Sequence, residues 1–145
     1  MNEDIWQETK LVATDGSGSD YFGWAVAADG DAVVVGARGD DDNGENSGSV
    51  YVYRWNDVAW VETKITASDG AEGDYFGWTV AIDGDYIAVG SRGDDDNGTD
   101  SGSVYIYRWN GYDWYETKIT ASNGGAGDYF GSSIDLKDGM LVVGA

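Results

Sequence analysis

Apolar and polar positions alternate with a period of two in short runs, and no run carries the 3.6-residue period of a helix. In Phe22–Ala28, the bulky Phe22, Trp24 and Val26 alternate with Gly23, Ala25 and Ala27. Asp29-Gly30-Asp31 is a hairpin signal, and the Val-rich run Ala32–Ala37 is too short for a helix. A polar loop from Arg38 to Gly48 follows. The run Ser49–Trp55 then sets Tyr51, Tyr53 and Trp55 on one face and Val50 and Val52 on the other. Asn56-Asp57 turns the chain into Trp60–Ala67, where Val61, Thr63 and Ile65 oppose Glu62, Lys64 and Thr66. That polar side reads as a solvated outer face.

The whole pattern repeats every 54 residues: Trp6, Trp60 and Trp114, the Tyr-Phe-Gly triplets from Tyr21, Tyr75 and Tyr129, and Gly36, Gly90 and Gly144 all keep that interval. Residues 21–67 and 75–121 align without gaps at 34 of 47 positions, and the chain holds about 2.7 copies. Four antiparallel strands per period, with no helix, describe the blade of an all-β propeller; a continuous β-sandwich built from the same hairpins is the rival. The expected division is an outer strand of a preceding blade in 1–21, blades at 22–67 and 76–121, and the first half of a third in 129–145. That makes eleven strands.

In each full copy the elements Phe22-Gly23-Trp24-Ala25-Val26-Ala27, Val35-Gly36-Ala37 and Gly48-Ser49-Val50-Tyr51-Val52-Tyr53 occur in order. This series resembles the FG-GAP repeat, the blade unit of the integrin α-subunit propeller and of many bacterial surface and secreted proteins. The resemblance implies a propeller used as a scaffold, an extracellular or cell-surface location, and calcium in an Asp-rich turn between the first two strands. Two departures stand out. Arg38 and Arg92 replace the proline that usually ends the Gly-Ala-Pro element, and the calcium turn is shortened to Asp29-Gly30-Asp31 and Asp83-Gly84-Asp85. The family's usual metal site is therefore not carried over. Propellers close with four or more blades, so the expectation is either a fragment of a longer chain or a homo-oligomer whose copies complete a ring or fibre.

Composition narrows the chemistry. Against 8 Lys and Arg stand 27 acids, 21 of them Asp, for a net charge of -19. Such a surface repels phosphate, which excludes nucleic acid and anionic membranes as partners. No apolar run is long enough to span a bilayer, and the N-terminus has no signal-peptide pattern. The chain has no Cys and no His, which removes thiol nucleophiles, catalytic triads and imidazole ligation. No pair of carboxylates is marked out as acid and base, so the expectation is a protein that is not an enzyme.

Calcium is the candidate cofactor. Asp40, Asp41, Asp42 and Asn43, repeated as Asp94, Asp95, Asp96 and Asn97, gather hard oxygen donors beside glycines. A solvated acidic loop neutralised by Arg38 is the alternative, and the acidic stretches Asp15–Asp20 and Asp69–Asp74 stand ready to add a ligand. Arg38-Gly39-Asp40 also spells the tripeptide that integrins recognise on their ligands. It is a short match that the register of the repeat already explains. Trp24, Trp78, Trp60 and Trp114 are the candidates for stacking on a sugar, with core packing as the competing role. The expected function is a scaffold for a protein or glycan partner, with a self-assembling propeller piece and a calcium-dependent lectin as the alternatives.

Overall fold

The structure is a computed structural model that describes residues 6–145. Among these, ten strands and no helix occur: β1 Phe22–Asp29, β2 Ala32–Ala37, β3 Ser49–Trp55, β4 Trp60–Ile65, β5 Phe76–Asp83, β6 Tyr86–Ser91, β7 Ser103–Trp109, β8 Trp114–Ile119, β9 Ser133–Lys137 and β10 Met140–Gly144. They form two antiparallel four-stranded sheets, in the orders β1-β2-β3-β4 and β5-β6-β7-β8, and a third sheet of β9 and β10. These are propeller blades, stacked face to face, two complete and one half.

The alternation explains the stacking. Val34, Val50 and Val52 of the first sheet meet Phe76, Ile82, Ile87, Val89, Tyr105 and Tyr107 of the second in one buried cluster. The next interface repeats the arrangement: Ala81, Ala88 and Val104 pack under Phe130, Ile134, Leu136, Leu141 and Val143. The opposite face of the first sheet, with Val35, Tyr51 and Tyr53, is covered by Leu11 and Ala13. Val50 and Val52 on one face of β3, and Tyr51 and Tyr53 on the other, thus lie where the alternation places them.

Three local readings change. Residues 6–13, expected as an outer strand, join no ladder and Trp6 is exposed. In β4 and β8 the corresponding segment pairs with the third strand of its own sheet, and among the described residues no third strand adjoins residues 6–13. The first strand is also not evenly alternating. Gly23 and Gly77 adopt φ of 89° and 88°, and the register with the neighbouring strand jumps between Phe22 and Ala25 and between Phe76 and Thr79. This bulge swings Trp24 and Trp78 out of the row occupied by Phe22 and Val26. Finally, the polar side of β4 is the covered one. Lys64 and Glu62 stand opposite Tyr51 and Tyr53 in the ladder and are half-buried, while Val61 and Thr63 are exposed.

Candidate functional site: paired carboxylate–lysine clusters and an arginine stack

Lys64 leaves the covered face of β4 and ends among three carboxylates. Its Nζ lies 2.8 Å from Asp15 Oδ2, 2.8 Å from Asp40 Oδ2 and 2.7 Å from Asp42 Oδ2. Lys118 of β8 repeats the arrangement at 2.7 Å from Asp69, Asp94 and Asp96. Tyr51 donates its hydroxyl to Asp15 Oδ1 at 2.7 Å, and Tyr105 donates to Asp69 Oδ1 at 2.8 Å. Asp40 and Asp94 are the buried members, each 3% exposed. Their charge is tolerated only because an ammonium and backbone donors meet it.

The loop after the second strand splits its acids. Asp40 Oδ1 accepts the Asp42 N–H at 3.1 Å, which folds the two residues toward the lysine. Asp41 turns away and accepts the Asn46 N–H at 2.7 Å. The Asn43 N–H donates to Ser47 Oγ at 3.1 Å. Asp94, Asp95, Asp96 and Asn97 repeat each of these bonds. Of the four oxygen residues singled out per loop, two converge, and Asp15 or Asp69 from the loop before the first strand joins them. Lysine and tyrosine were the members that the sequence reading missed.

The Asp69, Asp94 and Asp96 carboxylates have oxygens within 4.8 Å of one another and make a cluster able to hold a metal ion. Calcium takes six to eight oxygens at 2.3–2.6 Å. Here three carboxylates converge on an ammonium nitrogen at the centre, so the residues do not fit calcium while Lys118 stays in place.

The ionisation of the cluster follows from this geometry. Burial opposes the charged form of Asp40, but hydrogen bonds from Lys64 and the Asp42 N–H outweigh it and hold the carboxyl below its usual range. Asp69 behaves alike, with Lys118 and Tyr105 overcoming burial. Burial also works against the Lys64 and Lys118 ammonium groups, yet their three carboxylates raise both above the ordinary lysine value. Asp74 is the opposite case. Burial, reinforced by the nearby Asp94 charge, pushes it up to about 6 even though it accepts the Ala71 N–H.

The four tryptophans fall in two places. Trp24 and Trp78 lie 5.1 Å apart with their planes tilted by 51°, and the Arg38 guanidinium lies against both, its Cζ 4.0 Å from the Trp24 ring and 5.0 Å from Trp78. Arg92 continues the stack between Trp78 and Tyr129, at 4.3 Å from each. Trp60 and Trp114 sit instead at the far hairpins against Trp55 and Trp109. Trp60 lines one cavity with Trp55, and Trp78 lines another with Arg38 and Arg92, so the two pairs lie apart. The Arg38-Gly39-Asp40 tripeptide is not available as an adhesive ligand: its arginine is clasped by rings and its aspartate is buried on Lys64.

The sequence profile of the FG-GAP repeat matches residues 6–53, 60–107 and 114–145. The chain belongs to the FG-GAP repeat family. No curated protein sequence matches it significantly.

The FG-GAP signature has a direct physical reading. A Cβ on Gly36 would strike the carbonyl oxygen of Gly77, and one on Gly77 would come within 2.6 Å of the Ser49 oxygen. The Gly-Ala of one repeat and the Phe-Gly of the next are thus the points where neighbouring blades meet backbone to backbone. The shortened turn also acquires a role. Asp29 accepts the Gly84 N–H at 2.8 Å and Asp83 accepts the Asp138 N–H at 2.6 Å, so each turn ties its blade to the next.

These ionisations set a pH profile for the FG-GAP chain. Between about pH 4 and 6 the folded state keeps a proton on Asp74 that the unfolded state has released, so stability falls as pH rises through that window. Asp40 and Asp69 act the other way. Their contribution is present above the ordinary value of 3.8 and is lost as pH falls through their lowered values. The melting temperature is therefore expected to rise from pH 7 to about pH 5 and to fall again in stronger acid. Asp74→Asn should raise the melting temperature at pH 7 and flatten the rise, as read by calorimetry across that range.

Proposed function

We propose that the chain is a non-enzymatic propeller scaffold that presents its loops to a protein or glycan partner, and that lysine rather than calcium stiffens those loops. The observation carrying this reading is the Lys64 and Lys118 ammonium at the centre of each carboxylate cluster, joining the loop before the first strand to the loop after the second. A cation tethered to β4 or β8 adds no binding equilibrium to the stability of the loops, whereas a bound metal would make it depend on metal concentration. The absence of His and Cys supports a non-catalytic role, as does the 5% exposure of Asp74, which keeps its perturbed carboxyl from a substrate. Membership of the family supports a surface or extracellular location, and among the described residues no helix is long and apolar enough to cross a membrane. Chelation tests the reading. EDTA should leave the melting temperature unchanged within error, and a marked drop would favour the calcium-dependent lectin instead.

A second reading rests on the third blade. Among the described residues the outer edge of β10 pairs with no strand, whereas β2 and β6 each pair there with a third strand, and Met140 and Val142 on it are exposed. An unpaired edge is a template for another strand. Such a strand belongs either to further blades of a longer chain or to a second copy. Light scattering separates these: a discrete multiple of 15.5 kDa supports the second copy, and a monomer the first.

A further inference from the structure

Trp55 and Trp60, at the far hairpin of the first blade, lie 5.7 Å apart with their planes tilted by 57°. Trp109 and Trp114 repeat the pair in the second blade at 5.1 Å and 49°. What differs between the two pairs is a cation. Arg54 continues the row of Val50 and Val52 in β3, reaches across the blade boundary and places its Cζ 5.3 Å from the Trp114 ring and 5.9 Å from Trp109. Among the described residues no cation lies over Trp55 or Trp60, and no third strand stands in front of the first blade to bring one.

The second blade therefore shows what such a pair of rings takes. Among the described residues Arg54 enters no ion pair, and its Nε and Nη2 are buried with no hydrogen-bond partner. The indoles are what its guanidinium meets, and a planar, weakly hydrated cation suits them. In the first blade the same place is open. A cavity of about 390 Å³ is lined there by Thr9, Gly30, Asp31 and the two rings, and each of these residues recurs 54 positions later around Trp109 and Trp114. Trp55 is 40% exposed, whereas Trp109 is half-buried. We propose that this cavity binds an arginine side chain presented by a partner polypeptide.

Charge and size fit that occupant. Asp31 is exposed and adds a negative charge to the lining. The net charge of -19 draws cationic partners toward the whole surface, and the rings select among them at this point. The volume lies at the small end for ligand sites and suits one side chain. A neutral side chain of the same shape lacks the attraction to the ring faces, and an ammonium is more strongly hydrated and has no flat face to stack. This proposal goes beyond the scaffold reading and stands whether or not the loops bind calcium.

The test is titration of the unmodified protein with a blocked glycine-arginine-glycine peptide, and with the same peptide carrying citrulline or lysine instead of arginine, at matched ionic strength. The indole N–H signals in ¹H–¹⁵N spectra report the binding. The arginine peptide should shift Trp55 and Trp60 saturably, with an effect at least tenfold weaker from citrulline and a weaker one from lysine. Trp109 and Trp114, already covered by Arg54, should stay still and serve as the internal control. Trp55→Leu should weaken the response of Trp60 at least tenfold. If that variant does not fold, the comparison of arginine with citrulline on the unmodified protein decides alone. No saturable shift at Trp55 and Trp60 would overturn the proposal, as would an unchanged response in Trp55→Leu. Citrulline or lysine matching arginine would also overturn it, and so would equal shifts at Trp109 and Trp114, which would mark a general attraction of cations to the acidic surface.

Discussion

Lys118→Met is expected to cost about 3 kcal/mol, toward the lower end of the range for removing one partner of a buried ion pair. The lower end applies because the Lys118 side chain is 18% exposed while that of Asp94 is 5% exposed. The loss does not come from Asp69 and Asp96, which are about half exposed and rehydrate when the ammonium leaves. It comes from Asp94, left with Ser103 Oγ at 2.8 Å, Tyr105 and the Asp96 N–H as its donors. In a chain of this size the change corresponds to a fall of about 10 °C in melting temperature. The same variant should gain something the parent lacks. With the lysine gone, the oxygens of Asp69, Asp94 and Asp96 stay within reach of one cation, so millimolar calcium should raise the melting temperature of Lys118→Met but not of the parent. A variant that melts like the parent would mean that the cluster is solvated and carries no structural weight.

Phe76→Ala is expected to cost about 3–5 kcal/mol, and Phe22→Ala less than half as much. The two residues hold the same place in successive repeats, and only their surroundings differ. Phe76 is fully buried between the first and second sheets, edge-on to Tyr105 at 5.3 Å and Tyr107 at 6.1 Å. Its N–H donates to the Ser47 oxygen at 3.0 Å across the blade boundary. Phe22 makes the matching contacts to Tyr51 and Tyr53, but it is half-buried and covered only by residues 11–13. Urea denaturation of both variants gives the comparison. Equal losses would mean that the face of the first blade is covered in solution, as association of copies would require.

Much of the fold is legible in the sequence because the period of 54 repeats every signal. The Val-rich run gives the range of β2, alternation gives the range of β3 and its division into a tyrosine face and a valine face, and the repeat carries both to β6 and β7. What alternation cannot register is a residue with positive φ. Gly23 breaks the count in β1, and the tryptophan after it therefore lies against Arg38 rather than beside Phe22. The polar side of β4 misleads for another reason. Glu62 and Lys64 look like solvated residues, yet Glu62 accepts from Tyr53 at 2.9 Å and from Thr14 at 2.6 Å, and Lys64 spans to the loops. Polarity marks a solvated face only when no buried polar partner stands opposite. A clue to the cluster was present: Lys10, Lys64 and Lys118 recur at the repeat interval in a chain with only 8 cationic residues. Its meaning depended on loops 24 and 49 residues away from the lysine, a juxtaposition that only the folded chain provides.

The most direct test is observation of the lysine ammonium groups by ¹H–¹⁵N spectroscopy at neutral pH, with and without calcium. An ammonium held by three carboxylates exchanges its protons slowly enough to be seen, whereas a solvated one does not. Two protected signals, assigned to Lys64 and Lys118 and unmoved by millimolar calcium, are the predicted result. Loss of those signals on adding calcium, or their absence throughout, would contradict the placement of lysine as the internal cation of this scaffold.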